Sequence, residues 1–511
     1  MMRHETKKMT VKGNGFWAKV FRMKSPEELM ASANKNGLKK TLGAMDLIIL
    51  GVGAVIGTGI FTISGVAIAG DAAAGPGFMI SLIMAGLACI FAAFCYAEFA
   101  SMIPVAGSAY TYTFAIFGQC AAWLMGWILM LEYAIGNIAV AIALSGYWFE
   151  LLKGFEQYLP NWVVNKDLWI YNFKIFGEIP FLLNIPSILI IILITVLLYK
   201  GISESTKSAA IMVFVKLAVI ALFLVGGIFY VRPENWTPFM PSGWSGIFQG
   251  AFLIFFAYIG FDAVSTAAEE TKNPQKNVPI GIIGTLLICM AVYVAVAAVL
   301  TGMFPFSALQ GNSAFIDAPI AYALRAIGKD LFAMLVSVGA VAGLFSVLLV
   351  LQLGTTRVLF AMSRDNLLPK IFSKVHPKFA TPHIITVFVG IFTIIGTFFL
   401  DLESSANLCN IGTFTAFIVV SIGVIILRYT DPDRQRTFKI PFMPVIPLLG
   451  IFFCLFIIYK GIPKSTFIAF SIWIFLGLLF YFCYSYKNAN LDRDEKQSLE
   501  SNDKIIEEIK K

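Results

Sequence analysis

The stretch Gly51-Val52-Gly53-Ala54-Val55-Ile56-Gly57-Thr58-Gly59-Ile60-Phe61 sets four glycines within nine residues in the middle of a long apolar run. Glycine weakens a helix, and hydrocarbon offers no water to replace a lost backbone partner. An interrupted helix persists there only where protein or a polar cavity serves the freed N–H and C=O groups. Such groups can hold a small polar molecule. The other use of these glycines is close helix packing, for which Gly53 and Gly57 form a small-xxx-small pair.

A second interruption lies in Phe255-Phe256-Ala257-Tyr258-Ile259-Gly260-Phe261-Asp262, where a glycine and an acid break another apolar run. Two interrupted spans, five spans apart, are what an inverted repeat produces. Broken half-helices offer a positive N-terminal end to a carboxylate and open carbonyls to an ammonium. An α-amino acid carries both groups on one carbon, so the two breaks together suit a zwitterion.

Lys216 is an isolated basic residue inside an apolar run, eleven positions from its start, or about 16 Å at the α-helical rise of about 1.5 Å per residue. From that depth a lysine does not easily reach either interface, and a buried ammonium needs partners to hold its charge. Glu132 is the other ion in mid-membrane. It either lines the pocket and attracts a basic side chain, or is a buried acid satisfied by its neighbours. Asp262 holds local backbone or a gate. Glu98, Glu269 and Glu270 lie near cytoplasmic span ends, where arginines such as Arg357 are expected to pair with them. Asp46 opens a span, where an acid complements the helix dipole.

Positioning these residues falls to a polytopic all-α membrane protein. The 511 residues are 58% hydrophobic and 13% charged, with a mean hydropathy of +0.81. Twelve transmembrane helices are expected at 44–70, 76–102, 119–152, 184–201, 205–231, 244–270, 278–304, 331–362, 383–400, 405–428, 443–460 and 464–486, numbered spans 1 to 12 below. The expected organisation is a cytoplasmic N-terminal segment (1–43), a first repeat of spans 1–5 (44–231), a second of spans 6–10 (244–428), spans 11–12 (443–486) and a cytoplasmic tail (487–511). Ser25-Pro26-Glu27-Glu28 reads as the capped start of a surface helix. The longest outer loop is 154–183.

Charge gives the orientation. With both termini inside, 29 of the 38 lysines and arginines fall on the cytoplasmic side and eight outside, with Lys216 between. Such a bias sets topology. It also accounts for the net charge of +8 without nucleic acid. The first 40 residues are polar and lysine-rich, so span 1 is expected to act as an uncleaved signal-anchor. The seven cysteines (Cys89, Cys95, Cys120, Cys289, Cys409, Cys454 and Cys483) fall in or beside apolar runs without paired spacing, which argues against a disulfide frame or metal cluster. The histidines His4, His376 and His383 stand in the tail or an inner loop. No HExxH, P-loop or nucleophile–base spacing is present, so neither an enzyme nor a cofactor is expected.

Gly53-Ala54-Val55-Ile56-Gly57-Thr58-Gly59-Ile60-Phe61 resembles the first-helix motif of the amino acid–polyamine–organocation superfamily. So do Tyr96-Ala97-Glu98-Phe99 and Pro104-Val105-Ala106-Gly107-Ser108-Ala109-Tyr110. Gly37-Leu38-Lys39-Lys40-Thr41-Leu42-Gly43, Leu131-Glu132-Tyr133-Ala134, the run from Thr356 to Asp365 and Arg436-Thr437-Phe438-Lys439-Ile440-Pro441 are similar to its cationic amino acid transporter branch. The resemblance runs from about residue 25 to 485.

It implies a LeuT-type fold with a 5+5 inverted repeat and two further helices. Carried over, the substrate carboxylate meets the amides of Thr58 and Gly59. The ammonium meets carbonyls of Val55, Phe256, Ala257 and Ile259, with Phe256 as an aromatic gate. A lysine at position 216 resembles one that stands in place of a sodium ion beside span 1, held against spans 5 and 8 and coupling transport to protons.

The expectation is proton-coupled import (symport) of an L-amino acid across the cytoplasmic membrane of a cell. The partners are the substrate, protons and the lipid bilayer; a small membrane-protein partner is left open. Exchange, cationic amino acid or polyamine transport, and a non-transporting sensor are the alternatives. Leu351 and Gln352, placed toward the side-chain end of the pocket, are not acidic, which tilts the reading to neutral amino acids.

Overall fold

The computed structural model describes residues 20, 42–71, 73–102, 108–156, 158–175, 179–201, 206–261, 264, 271–379, 381–434 and 436–488. Asp262, Glu269, Glu270, the surface helix expected near 25–29 and the tail beyond 488 lie outside these residues. Among the described residues, seven helices are long and apolar enough to cross a membrane: Gly75–Met102, Gln119–Lys153, Ile211–Tyr230, Pro274–Met303, Asp330–Arg364, Leu402–Thr430 and Lys464–Asn488. They fall at spans 2, 3, 5, 7, 8, 10 and 12. Span 1 is a bent pair, Ala44–Val55 and Gly59–Ala69, with 43° between its halves. Shorter apolar helices, Ile185–Tyr199, Gly243–Tyr258, His383–Phe399 and Val445–Gly461, lie where spans 4, 6, 9 and 11 are expected.

The protein is thus a nearly all-helical polytopic membrane protein. Its strands form a hairpin in the loop between spans 3 and 4. β1 (Ile170–Ile175) pairs antiparallel with β2 (Ile179–Asn184), with Ile170 opposite Asn184. Ile-Tyr-Asn-Phe-Lys-Ile alternates apolar and polar residues at Asn172 to Ile175, a period-two signal that a search for long apolar runs passes over. Asn184 ends β2 and caps span 4, its side chain accepting from the Ser187 amide at 3.1 Å.

Span 3 packs chiefly on spans 8 and 10, span 2 on span 7, and the first half of span 1 on spans 7 and 5. Span 12 is joined to span 3 by a reciprocal tryptophan pair. Trp127 Nε1 donates to the Trp473 carbonyl at 2.9 Å, and Trp473 Nε1 donates to that of Trp127 at 3.1 Å. Their rings stack at 4.6 Å. Each indole N–H thereby finds an acceptor that lipid cannot supply.

Glu98, at the end of span 2, is fully buried. Arg428 of span 10 grips it with Nε at 2.6 Å and Nη2 at 2.7 Å. The Ile440 amide donates to it at 2.8 Å, and Arg436 Nε stands 3.3 Å away. Arginines were expected there, and these two come from span 10 and the loop after it. A buried carboxylate is tolerable only with such compensation. Spans 2 and 10 and the loop before span 11 are fixed together at this point.

Candidate functional site

The glycines of span 1 each meet a different neighbour. A Cβ added at Gly51 would lie 2.2 Å from Thr285 Oγ1 of span 7, and one at Gly53 2.2 Å from Val213 Cγ2 of span 5. At Gly57 it would lie 3.1 Å from Val347 of span 8, and at Gly59 2.2 Å from both Cα and Cβ of Ala257 in span 6. Close packing therefore accounts for all four glycines. It coexists with the interruption, because the chain also leaves the helix: Ile56 has φ −73° and ψ 105°, an extended conformation.

Past the bend, Gly59–Ile63 forms a wide π-helical turn leading into Ser64–Ala69. Thr58 and Gly59 stand at the start of this second half, where the first amides of a helix have no acceptor within it. Span 6 breaks in a complementary way. Its helix Gly243–Ile254 passes into a 3-10 turn, Phe255–Tyr258, and Ile259 is extended. Gly260 follows with φ +113°, a conformation that favours glycine. A Cβ there would also lie 3.1 Å from the Ala54 carbonyl oxygen. The two interruptions therefore touch, backbone to backbone.

Tyr293 of span 7 ties them. Its hydroxyl stands 2.9 Å from the Val55 carbonyl and 3.0 Å from that of Ala257. One hydroxyl proton serves one of these acceptors at a time. The Phe256 carbonyl accepts from the Ile259 amide at 3.3 Å. The structure thus brings Val55, Thr58, Gly59, Phe256, Ala257 and Ile259 together, with the Phe256 carbonyl accepting one bond and the Val55 and Ala257 carbonyls sharing the Tyr293 donor. A carbonyl has two lone pairs, so each retains capacity for a ligand. The Phe256 ring is buried.

Lys216 is 2% exposed. Its Nζ donates to the Gly53 carbonyl at 2.8 Å. Its stem runs over Gly343 of span 8, where an added Cβ would lie 2.9 Å from Cε and 3.0 Å from Cγ. The lysine of span 5 therefore lies between spans 1 and 8, its methylenes in a groove that glycine leaves open and its charge on the carbonyl that precedes the bend.

A profile of the family described as amino acid permease matches residues 42–484. The chain belongs to the amino acid permease family. The permease is 46% identical over 476 residues to the branched-chain amino acid permease BcaP of Bacillus subtilis, covering 93% of this chain and 99% of the relative. It is 45% identical over 474 residues to the methylthioribose transporter of the same organism, with 93% and 99% covered. The chloroplastic cationic amino acid transporter 9 of Arabidopsis thaliana is 38% identical over 416 residues, or 81% of this chain and 71% of that one. These are transporters rather than enzymes, and so is the permease.

The remaining side chains of the permease fall as follows. Glu132 is 2% exposed and faces span 10. Its carbonyl lies 3.2 Å from the Cys409 thiol, and its Cβ is 3.7 Å from where a Cβ on Gly412 would be. Leu351 lies against Gly136 of span 3, which also faces Cys409. Gln352 instead donates to Thr195 Oγ1 of span 4 at 2.7 Å. At the start of span 1, Asp46 accepts from the Gly43 amide at 2.9 Å, as expected of an acid there. Tyr293 is not among the residues expected at the site, although its type carries a signal: a hydroxyl amid apolar neighbours in mid-helix must find a partner.

Proposed function

We propose that the permease is a proton-coupled amino acid importer that alternates access around one midplane site. In this reading both termini face the cytoplasm, and spans 1–5 and 6–10 form inverted repeats followed by spans 11 and 12. The substrate carboxylate takes the amides of Thr58 and Gly59, and its ammonium the carbonyls of Val55, Phe256, Ala257 and Ile259, under the Phe256 ring. Lys216 is the coupling element. The observation that carries this reading is the Lys216 ammonium on the Gly53 carbonyl, because a covalently fixed charge there does the work of a bound cation. Protonated, it holds span 1 against spans 5 and 8; on losing its proton to the cytoplasm it releases span 1 and the inner side opens.

The substrate we favour is a neutral, aliphatic amino acid. Val347 and Leu351 are apolar, and a relative covering nearly the whole chain is named for branched-chain amino acids. Two alternatives have specific support. Glu132 and the cationic transporter relatives favour a basic amino acid, and a relative at 45% identity is named for methylthioribose.

The experiment is uptake by proteoliposomes under an imposed pH gradient, in potassium and again in sodium buffer, with competition by all twenty amino acids and by methylthioribose. Sodium-independent concentrative uptake, competed best by leucine, isoleucine or valine, is expected. Lys216→Met keeps the stem in the Gly343 groove and should lose accumulation while retaining exchange of substrate. Uptake that requires sodium, or accumulation that survives in Lys216→Met, would overturn the coupling assignment.

A further inference from the structure

The Tyr147 hydroxyl joins span 3 to span 1. It belongs to span 3 and is fully buried, and it donates to the Phe61 carbonyl in the wide turn of span 1 at 2.7 Å. The two rings meet edge to face, 5.9 Å apart at 84°. Beside it, Gly146 faces the segment between spans 7 and 8, where an added Cβ would lie 3.2 Å from the Asp317 carbonyl oxygen. Asp317 ends the short helix Ser313–Asp317, and the helix Pro319–Ala326 follows it in that segment.

That segment covers the second half of span 1 like a lid. Gly65 faces the Phe315 and Ile316 carbonyls so closely that an added Cβ would stand 2.7 Å from each. The Gly311 amide donates to the Ala69 carbonyl at 3.0 Å. One turn beyond Tyr147, Glu150 pairs with Arg325 of the lid, whose Nη2 also donates to the Glu150 carbonyl at 2.9 Å. Lys166 pairs with Asp317 in the same region.

We propose that Tyr147 latches the outer half of span 1 onto span 3 while the outer side is closed, and that its hydroxyl releases the Phe61 carbonyl each time the outer side opens. Phe61 is two residues past Gly59, so the latch also fixes the start of the half-helix whose amides meet the carboxylate. Tyr147 is a positioning residue that acts through span 1. The Glu150–Arg325 pair is the second bolt, and it acts on the lid alone.

The inference rests on the orientation and alternating access proposed above. Its test needs no substrate, so its failure is separable from a failed uptake assay. Thr62→Cys, buried in the wide turn, serves as a probe for a membrane-impermeant maleimide added outside right-side-out vesicles. Leu50→Cys, probed in inside-out vesicles, reports the opposite side. Tyr147→Phe keeps the ring packing and removes the hydroxyl. It should raise outside labelling about two- to tenfold, the equivalent of one hydrogen bond, and lower labelling inside.

Glu150→Gln should act in the same direction without touching the hydroxyl, and the charge swap Glu150→Arg with Arg325→Glu should reverse it. Thermal melting checks that each variant is folded. Unchanged outside labelling in folded Tyr147→Phe would overturn the proposal. So would a rise on both sides, which is the mark of general loosening.

Discussion

Gly53→Ala tests whether packing between spans 1 and 5 sets the position of Lys216. The new Cβ would lie 2.2 Å from Val213 Cγ2, against about 3.5–4.0 Å for two carbons in contact, so about 1.5 Å must be found. Val213 cannot easily supply it by rotation, because a β-branched side chain in a helix keeps one dominant rotamer. The displacement therefore falls on the helices. Lys216 follows Val213 by three residues on the same face, and its Nζ–O distance to Gly53 is 2.8 Å. Moving the helices apart by that amount would take the bond beyond hydrogen-bonding range.

Overpacking costs about 1–3 kcal/mol and loss of a charged hydrogen bond about 1.5–3 kcal/mol, so the held arrangement should weaken by about 2.5–6 kcal/mol. Gly53→Ala is then expected to lose proton-driven accumulation in proteoliposomes and to melt at a lower temperature. Val213→Ala removes the colliding methyl and should restore both in the double variant, with a coupling energy on the order of 1–2 kcal/mol. Wild-type accumulation in Gly53→Ala, or a double variant no better than the single, would refute the reasoning.

Tyr293→Phe removes the donor shared by Val55 and Ala257; a loss of about 1–3 kcal/mol should appear as a lower melting temperature and as weaker substrate binding by calorimetry. Glu98→Gln leaves Arg428 and Arg436 without their buried counter-charge and should cost about 3–5 kcal/mol, read as a large drop in melting temperature with substrate preference unchanged. Glu132→Gln separates the substrate alternatives: a tenfold weakening confined to arginine and lysine in competition uptake supports a selectivity role, whereas an equal fall for all substrates makes the residue structural.

The apolar runs made most of the span positions legible, since crossing hydrocarbon leaves little choice of composition or length. The burial of Lys216 was legible because an ammonium at that depth does not easily reach either interface. The bend at Ile56–Gly57 was legible from glycine density, but the reason for each glycine was not. Whether Gly51 serves span 7 or span 5 depends on helix rotation, and span 1 is apolar on every side, so periodicity does not give its phase. Tyr293 and Tyr147 were missed because their partners are main-chain carbonyls, which leave no mark in the sequence of the partner. Gln352 was placed toward the pocket and points to Thr195, since adjacent positions on a helix differ by about 100° and one residue decides the face.

The four glycines seat the two parts of span 1 on different neighbours, with one neighbour, span 6, in common. Before the bend, Gly51 rests on spans 7 and 6 and Gly53 on span 5; at the bend and past it, Gly57 rests on span 8 and Gly59 on span 6. Spans 5, 7 and 8 each touch one part only, whereas span 6 meets both through Val264 and Ala257, so among these contacts it is span 6 that links a swing of one part to the other. Bulky substitutions should therefore segregate genetically except at span 6. Suppressors of Gly51 or Gly53 variants should arise in spans 7, 6 and 5, and those of Gly57 or Gly59 variants in spans 8 and 6, so that span 6 is where the two sets overlap.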